Sequence, residues 1–345
     1  MKKIFNLILL LLLVATVRAQ VKATDEPFLT KSLSAESIRE IFSRTSGGSI
    51  SVSGVNAGEA RIEVFVYPSG NRTTLTKEEI QKKLDEDYEL TVSVENAKLT
   101  AVAKQKSSSI SWKRALAISF KIFVPKNVST DLSTSGGGIT LTNLSGTHNF
   151  STSGGGLTID MLTGKIRGRT SGGGITVKNT GDDIDLATSG GGIEADNCTG
   201  KISLSTSGGR IELSSLQGTI DARTSGGPVR ANKISGELAV RTSGGSVVLR
   251  DLACSVNAHT SGGNMEVAIR ELGKFITVSN SGGNIDLEVP RDKGLDLKLR
   301  AERIKVEGMN NFTGEQDEHK ISGKMNGGGI PVDASTSGSI SLALR

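Results

Sequence analysis

TSGGGITLTNLSGTHNFS, residues 134–151, decides the fold. Taken alone it has the composition of a flexible linker: Gly, Ser and Thr fill most of it, and it holds no Asp, Glu, Lys or Arg. The chain nevertheless writes it repeatedly. The Thr of the TSGG tetrapeptide falls at Thr134, Thr152, Thr170, Thr188, Thr206, Thr224, Thr242 and Thr260, every interval being 18. A further copy, Asn280-Ser281-Gly282-Gly283, follows after 20 residues. Outlying copies stand at Thr45-Ser46-Gly47-Gly48 and Thr336-Ser337-Gly338-Ser339. A fixed period of this kind is the signature of architectures in which each unit stacks on its neighbours.

Aligning the units exposes five apolar columns. The first reads Ile139, Leu157, Ile175, Ile193, Ile211, Val229, Val247, and the second Leu141, Ile159, Val177, Ala195, Leu213, Ala231, Leu249. The third reads Leu144, Leu162, Thr180, Cys198, Leu216, Ile234, Leu252. The fourth runs from His148 through Ile166, Ile184, Ile202, Ile220 and Leu238 to Val256; the fifth runs from Phe150 through Gly168, Leu186, Leu204, Ala222 and Val240 to Ala258. Apolar residues two apart predict short strands with one buried face. The first and fourth columns lie nine apart, as do the second and fifth, so each unit is two half-units. One half turns at N-L-x-G and the other at T-S-G-G, where Gly permits tight backbone and Ser or Thr can bond neighbouring peptide groups. A disordered linker has no reason to keep apolar residues in register. The expected fold is therefore all-β: a right-handed parallel β-helix or β-roll solenoid with 18-residue coils, whose coils fold only together.

The N-terminus reads as a secretory signal, residues 1–19. Lys2 and Lys3 precede an apolar run from Ile4 to Val14, and Val17-Arg18-Ala19 offers a cleavage site. The run is short for a bilayer span, and no second such run follows. Without residues 1–19 the basic count is 38 against 36 acidic, a net charge of +2. Near neutrality and 3% aromatic content argue against a nucleic-acid partner. Export invites a disulfide between Cys198 and Cys254, but the two stand three coils apart, about 14 Å at the spacing of stacked strands. Two free thiols are expected, Cys198 as a small core residue.

Residues 20–54 form an N-terminal segment and first coil, 129–289 the repeat, and 290–345 the C-terminal coils and cap. Between the first two, residues 55–128 leave the repeat as a small α+β excursion. Arg61–Tyr67 alternates like a strand, and Thr76-Lys77-Glu78-Glu79 reads as a capping box opening a helix over about 77–87. Strands are expected at 88–95, 97–105 and 116–124. Trp112, Lys113 and Arg114 could form a binding loop there, although such a run is more often a solvated hairpin tip.

The pattern excludes several chemistries. A Ca²⁺ roll needs an acidic ladder, but the relevant column reads Thr140, Thr158, Thr176, Glu194, Glu212, Arg230. His148, His259 and His319 make no metal spacing. Asp182-Asp183-x-Asp185 is a local acidic corner. Nothing points to a catalytic, metal or cofactor site. The column before the TSGG Thr places Arg223, Arg241 and His259 on successive coils, a stack that could hold an acidic glycan or simply keep the face soluble.

The signal segment, the early TSGG, the strand–helix–strand segment ending in Val124-Pro125-Lys126-Asn127-Val128, the run of TSGG coils and the closing N-G-G-G and TSG-S-I-S-L together resemble the bacterial "putative adhesin" solenoid family. The resemblance covers nearly the whole mature chain. It implies a parallel β-helix exported to the cell envelope and brings no catalytic residues. The expected function is a non-catalytic exported solenoid offering an extended surface for adhesion or envelope assembly, its partner an envelope or surface protein or a glycan. Two alternatives stand beside it: an envelope regulatory or stress-sensing protein binding a partner through 55–128, and a polysaccharide-acting enzyme of the parallel β-helix type.

Overall fold

The computed structural model describes residues 26–69, 75–107 and 115–345. Residues 1–19 and the trio Trp112, Lys113 and Arg114 lie outside the described residues. The described chain is predominantly β, with one α-helix, Lys77–Asp87.

Strand Ile139–Thr152 pairs in parallel with Leu157–Thr170, placing Ile139 beside Leu157, His148 beside Ile166 and Thr152 beside Thr170. The same offset of 18 recurs from unit to unit as far as Val247–Thr260. Met265–Asn280 continues the ladder through register shifts, which take up the longer interval of its unit. All five apolar columns are buried along this ladder. Full burial of an Ile, Leu or Val side chain contributes about 1.5–3 kcal/mol, so the alternation fixes which face turns inward. At the N-L-x-G corner, Asn143, Met161, Asn179, Asn197, Ser215, Lys233 and Asp251 each adopt a left-handed backbone with φ between 50° and 57°. One such residue per unit lets the strand bend while the following residue stays buried.

The TSGG corner carries a sixth buried column that hydropathy alone does not reveal. The Thr is buried in each unit. Thr170 Oγ1 donates to Gly155 O of the preceding unit at 2.7 Å and accepts from Gly173 N of its own at 3.3 Å. Thr152, Thr188, Thr206, Thr224 and Thr242 repeat both bonds. Where Asn280 replaces Thr, its amide does the same work: Nδ2 donates to Gly263 O at 2.7 Å and Oδ1 accepts from Gly282 N at 3.1 Å. The second Gly is required by closeness. A Cβ on Gly173 would sit 2.0 Å from Gly155 O, whereas one on Gly172 would be 3.5 Å from its nearest neighbour.

Both cysteines are free and buried. Thr180 Oγ1 bonds back to Lys178 O at 2.6 Å, and in the next unit Cys198 Sγ points to Asp196 O at 3.3 Å in the same way. Burial raises both thiols, Cys254 to about 12.

The helix Lys77–Asp87 starts with the expected capping box between Thr76 and Glu79 and buries Leu84, while Ile80 is only partly buried. The segment containing it returns to the ladder. Lys98–Gln105 pairs in parallel with Glu40–Thr45, and Leu116–Pro125 with Ile50–Val55. Glu40–Thr45 and Ile50–Val55 in turn pair with Ser129–Thr134 and Ile139–Thr152. Strands from within 55–128 are thus ladder strands, laid outside the first TSGG unit, and Tyr88–Glu95 and Arg61–Pro68 pair with them antiparallel. The other end repeats the device. Ile330–Ser335 lies between Met265–Asn280 and Leu295–Arg300, so the chain lays an outer strand first and fills the gap later. Lys320–Met325 then pairs antiparallel with Leu295–Arg300.

Candidate functional site

Register brings Arg223, Arg241 and His259 together as the sequence expects: Arg223 lies beside Arg241, and Arg241 beside His259. Their ion pairs change what the stack can do. Arg223 Nε donates to Asp221 Oδ1 at 2.8 Å, so that cation is already neutralised. The carboxylate also holds the guanidinium proton more tightly, raising its pKa. His259 Nδ1 shares a hydrogen bond with Ser279 Oγ at 2.9 Å. Arg241 is exposed and has no ion-pair partner among the described residues. Three units before Arg223 in the same column, Arg169 is held by Asp185 at 2.7 Å. The column therefore carries little free charge. It borders a shallow groove of about 610 Å³ running over Ser135, Ser153, Ser171, Ser189 and Ser207, all exposed.

The acidic corner is structural. Asp182 takes φ 80° and accepts from Gly164 N at 2.8 Å, while Asp185 pairs with Arg169. His148 is fully buried in the fourth column, its Nδ1 3.1 Å from Thr130 Oγ1 and its Nε2 without a partner. Desolvation lowers its pKa to about 4. It faces the core and not a groove. Among the described residues no group of His, Cys, Asp or Glu has metal-site geometry.

A second concavity, of about 580 Å³, was not singled out from sequence. It lies over two neighbouring outward columns. One column runs Glu194, Glu212, Arg230, Val248 and the other Asp196, Ser214, Asn232, Arg250, each in consecutive register. Lys178 holds Glu194 at 3.1 Å, Arg210 holds Glu212 at 3.0 Å, and Arg250 holds Glu266 at 2.8 Å. Asp196 and Arg230 have no ion-pair partner among the described residues, although Glu212 stands beside Arg230 in register. The groove therefore has a carboxylate without an ion pair at one end and, two units on, a guanidinium without one, with the Ser214 hydroxyl in the unit between and the Asn232 amide in the unit of Arg230. The sequence signal was present. These columns carry Thr140, Thr158 and Thr176, and then Glu194, Glu212 and Arg230, so the outward face departs from its own repeat.

No family model and no curated protein matches the chain. Three solved structures match across most of its length. One, described as a "putative cell adhesion protein" from Clostridium sporogenes ATCC 15579, is 12% identical with a TM-score of 0.20, covering 92% of this chain and 98% of the other. A second, a "putative lipid binding protein" from Parabacteroides distasonis ATCC 8503, is 16% identical with a TM-score of 0.31, covering 92% and 97%. A third, a "putative adhesin" from Bacteroides fragilis NCTC 9343, is 13% identical with a TM-score of 0.21, covering 92% and 96%.

Proposed function

We propose that the 18-residue units wind as a right-handed parallel β-solenoid, exported by way of residues 1–19, whose outer rows bind an envelope or surface partner without catalysis. One observation carries this reading: constant register lines outward side chains into continuous rows along the ladder. Stacked strands repeat at about 4.8 Å, so a row presents the same chemistry at each step to an extended polymer. The residue after each TSGG Thr supports the same view. It is an exposed Ser in every copy from Ser135 to Ser281, while the residue before it varies among Ser, Arg, Ala and His. The buried groups are accounted for by the fold, and the variable outward groups are what remains for recognition.

No helix among the described residues is long and apolar enough to cross a membrane. A glycan is the better-suited partner, because hydroxyl rows pair with sugar hydroxyls along a whole chain and shallow grooves admit it. The test is a glycan array and an envelope pull-down with the mature chain, beside hydrolysis and elimination assays on acidic glycans. Saturable binding without turnover supports the proposal. Turnover abolished by Asp182→Asn, Asp183→Asn or Asp185→Asn refutes the non-catalytic part. Partner capture through 55–128 is best tested by surface substitutions, since deletion would also remove ladder strands.

A further inference from the structure

The groove over Glu194, Asp196, Glu212, Ser214, Arg230 and Asn232 combines three features. It is concave. It is polarised along the ladder: three carboxylates with two cationic partners, Lys178 and Arg210, stand at one end. At the other, Arg230 is free and Arg250 is matched by Glu266. Finally, Asp196 and Arg230 make no ion pair among the described residues, although Lys178 stands beside the first and Glu212 beside the second in register. Asp196 and Arg230 lie two units apart along the ladder, about 10 Å at the spacing of paired strands. They make no pair with each other; the unit between them carries Ser214 and the Arg210-paired Glu212, and Asn232 stands in Arg230's own unit.

We infer that this groove binds a zwitterionic oligosaccharide, one carrying an ammonium and a carboxylate on neighbouring sugars. The ammonium sits against Asp196, the carboxylate of this face that makes no ion pair among the described residues, since Glu194 and Glu212 are held by Lys178 and Arg210. The carboxylate meets the Arg230 guanidinium, whose planar fork suits two parallel hydrogen bonds. Ser214 and Asn232 bond the ring hydroxyls between them. A ligand with one charge satisfies one end and leaves the other facing water. This assignment deepens the glycan-binding reading above and rests on it.

The test uses the mature chain and isothermal titration with three probes of equal length. De-N-acetylated hyaluronan tetrasaccharide carries both charges, hyaluronan tetrasaccharide only the acid, and chitotetraose only the amine. The zwitterion is expected to bind at least about fivefold tighter than either single-charge probe, in line with one additional exposed charge contact. Arg230→Gln and Asp196→Asn should each abolish that preference, and added salt should weaken it. Arg241→Gln, outside the groove, should leave it unchanged. Thermal unfolding confirms that each exposed substitution keeps the fold. Equal affinity for the three probes, no binding of the zwitterion, or a preference that survives both groove substitutions overturns the inference. Glycan-array binding that persists in those variants would leave the general binding role standing while removing this site.

Discussion

Thr170→Val is the sharpest probe of the TSGG corner. Valine keeps the shape and the burial of threonine but removes the hydroxyl. Gly155 O loses the 2.7 Å donor and Gly173 N loses the 3.3 Å acceptor, both at a part-buried corner. A buried polar group deprived of its partner costs about 1–3 kcal/mol, and the 3.3 Å bond is the weaker of the two. A loss of roughly 2–4 kcal/mol is therefore expected. Thr170→Ser retains the hydroxyl and gives up one methyl group, for about 1 kcal/mol. Urea unfolding followed by circular dichroism reads both, with the midpoint shift interpreted only where the slope is unchanged. The order Val far below Ser is the decisive result. Equal midpoints for the two variants would show that the column is held by packing alone, and the account of the corner would fail.

Three further outcomes follow from the same geometry. Gly173→Ala should unfold the corner, since its Cβ would sit 2.0 Å from Gly155 O, while Gly172→Ala, with 3.5 Å of clearance, should be tolerated; thermal melts of the pair check this. Gly168→Ala should be destabilising because its Cβ would meet the Phe150 ring at 2.4 Å, and Phe150→Leu should recover part of the loss in a double-mutant cycle. His148 has a native pKa of about 4 against 6.5 unfolded, so the unfolded chain takes up its proton first as the pH falls. Its contribution is intact above pH 6.5 and declines by about 3 kcal/mol on the way down to pH 4; wild-type and His148→Ile stability curves should diverge in that window and run parallel above it.

The repeat made the core legible because burial imposes a period. Ile139, Leu141, Leu144, His148 and Phe150 could be assigned to the interior from spacing, and all are buried. The Thr column was less legible, because a hydroxyl that both donates and accepts leaves no mark on hydropathy. The substitution of Asn at position 280 was the available clue: only a side chain with a donor and an acceptor can replace Thr there. The end strands were legible only in part: the TSG copy at Thr336 announced Ser339–Leu344 as a ladder strand, but nothing announced those within 55–128. Lys98–Gln105 pairs with Glu40–Thr45 across an intervening helix and hairpin, and no repeated residue announces a partner that distant.

The outer surface shows a different limit, and it bears on function. Sequence counting stacks Arg223, Arg241 and His259, but Asp221 claims the first and Ser279 bonds the third. Conversely, Glu212 and Arg230 stand side by side in register and read as a natural pair, yet Glu212 turns to Arg210. Which charges remain free is decided by side-chain competition among near neighbours whose exposed ion pairs differ by only about 1 kcal/mol, and no periodicity encodes it. The interior must repeat to stack, so it cannot distinguish one unit from the next. Recognition therefore has to reside where the outward columns break their own pattern, and between Glu194 and Arg250 they break it over a concavity in which Asp196 and Arg230 have no ion-pair partner among the described residues.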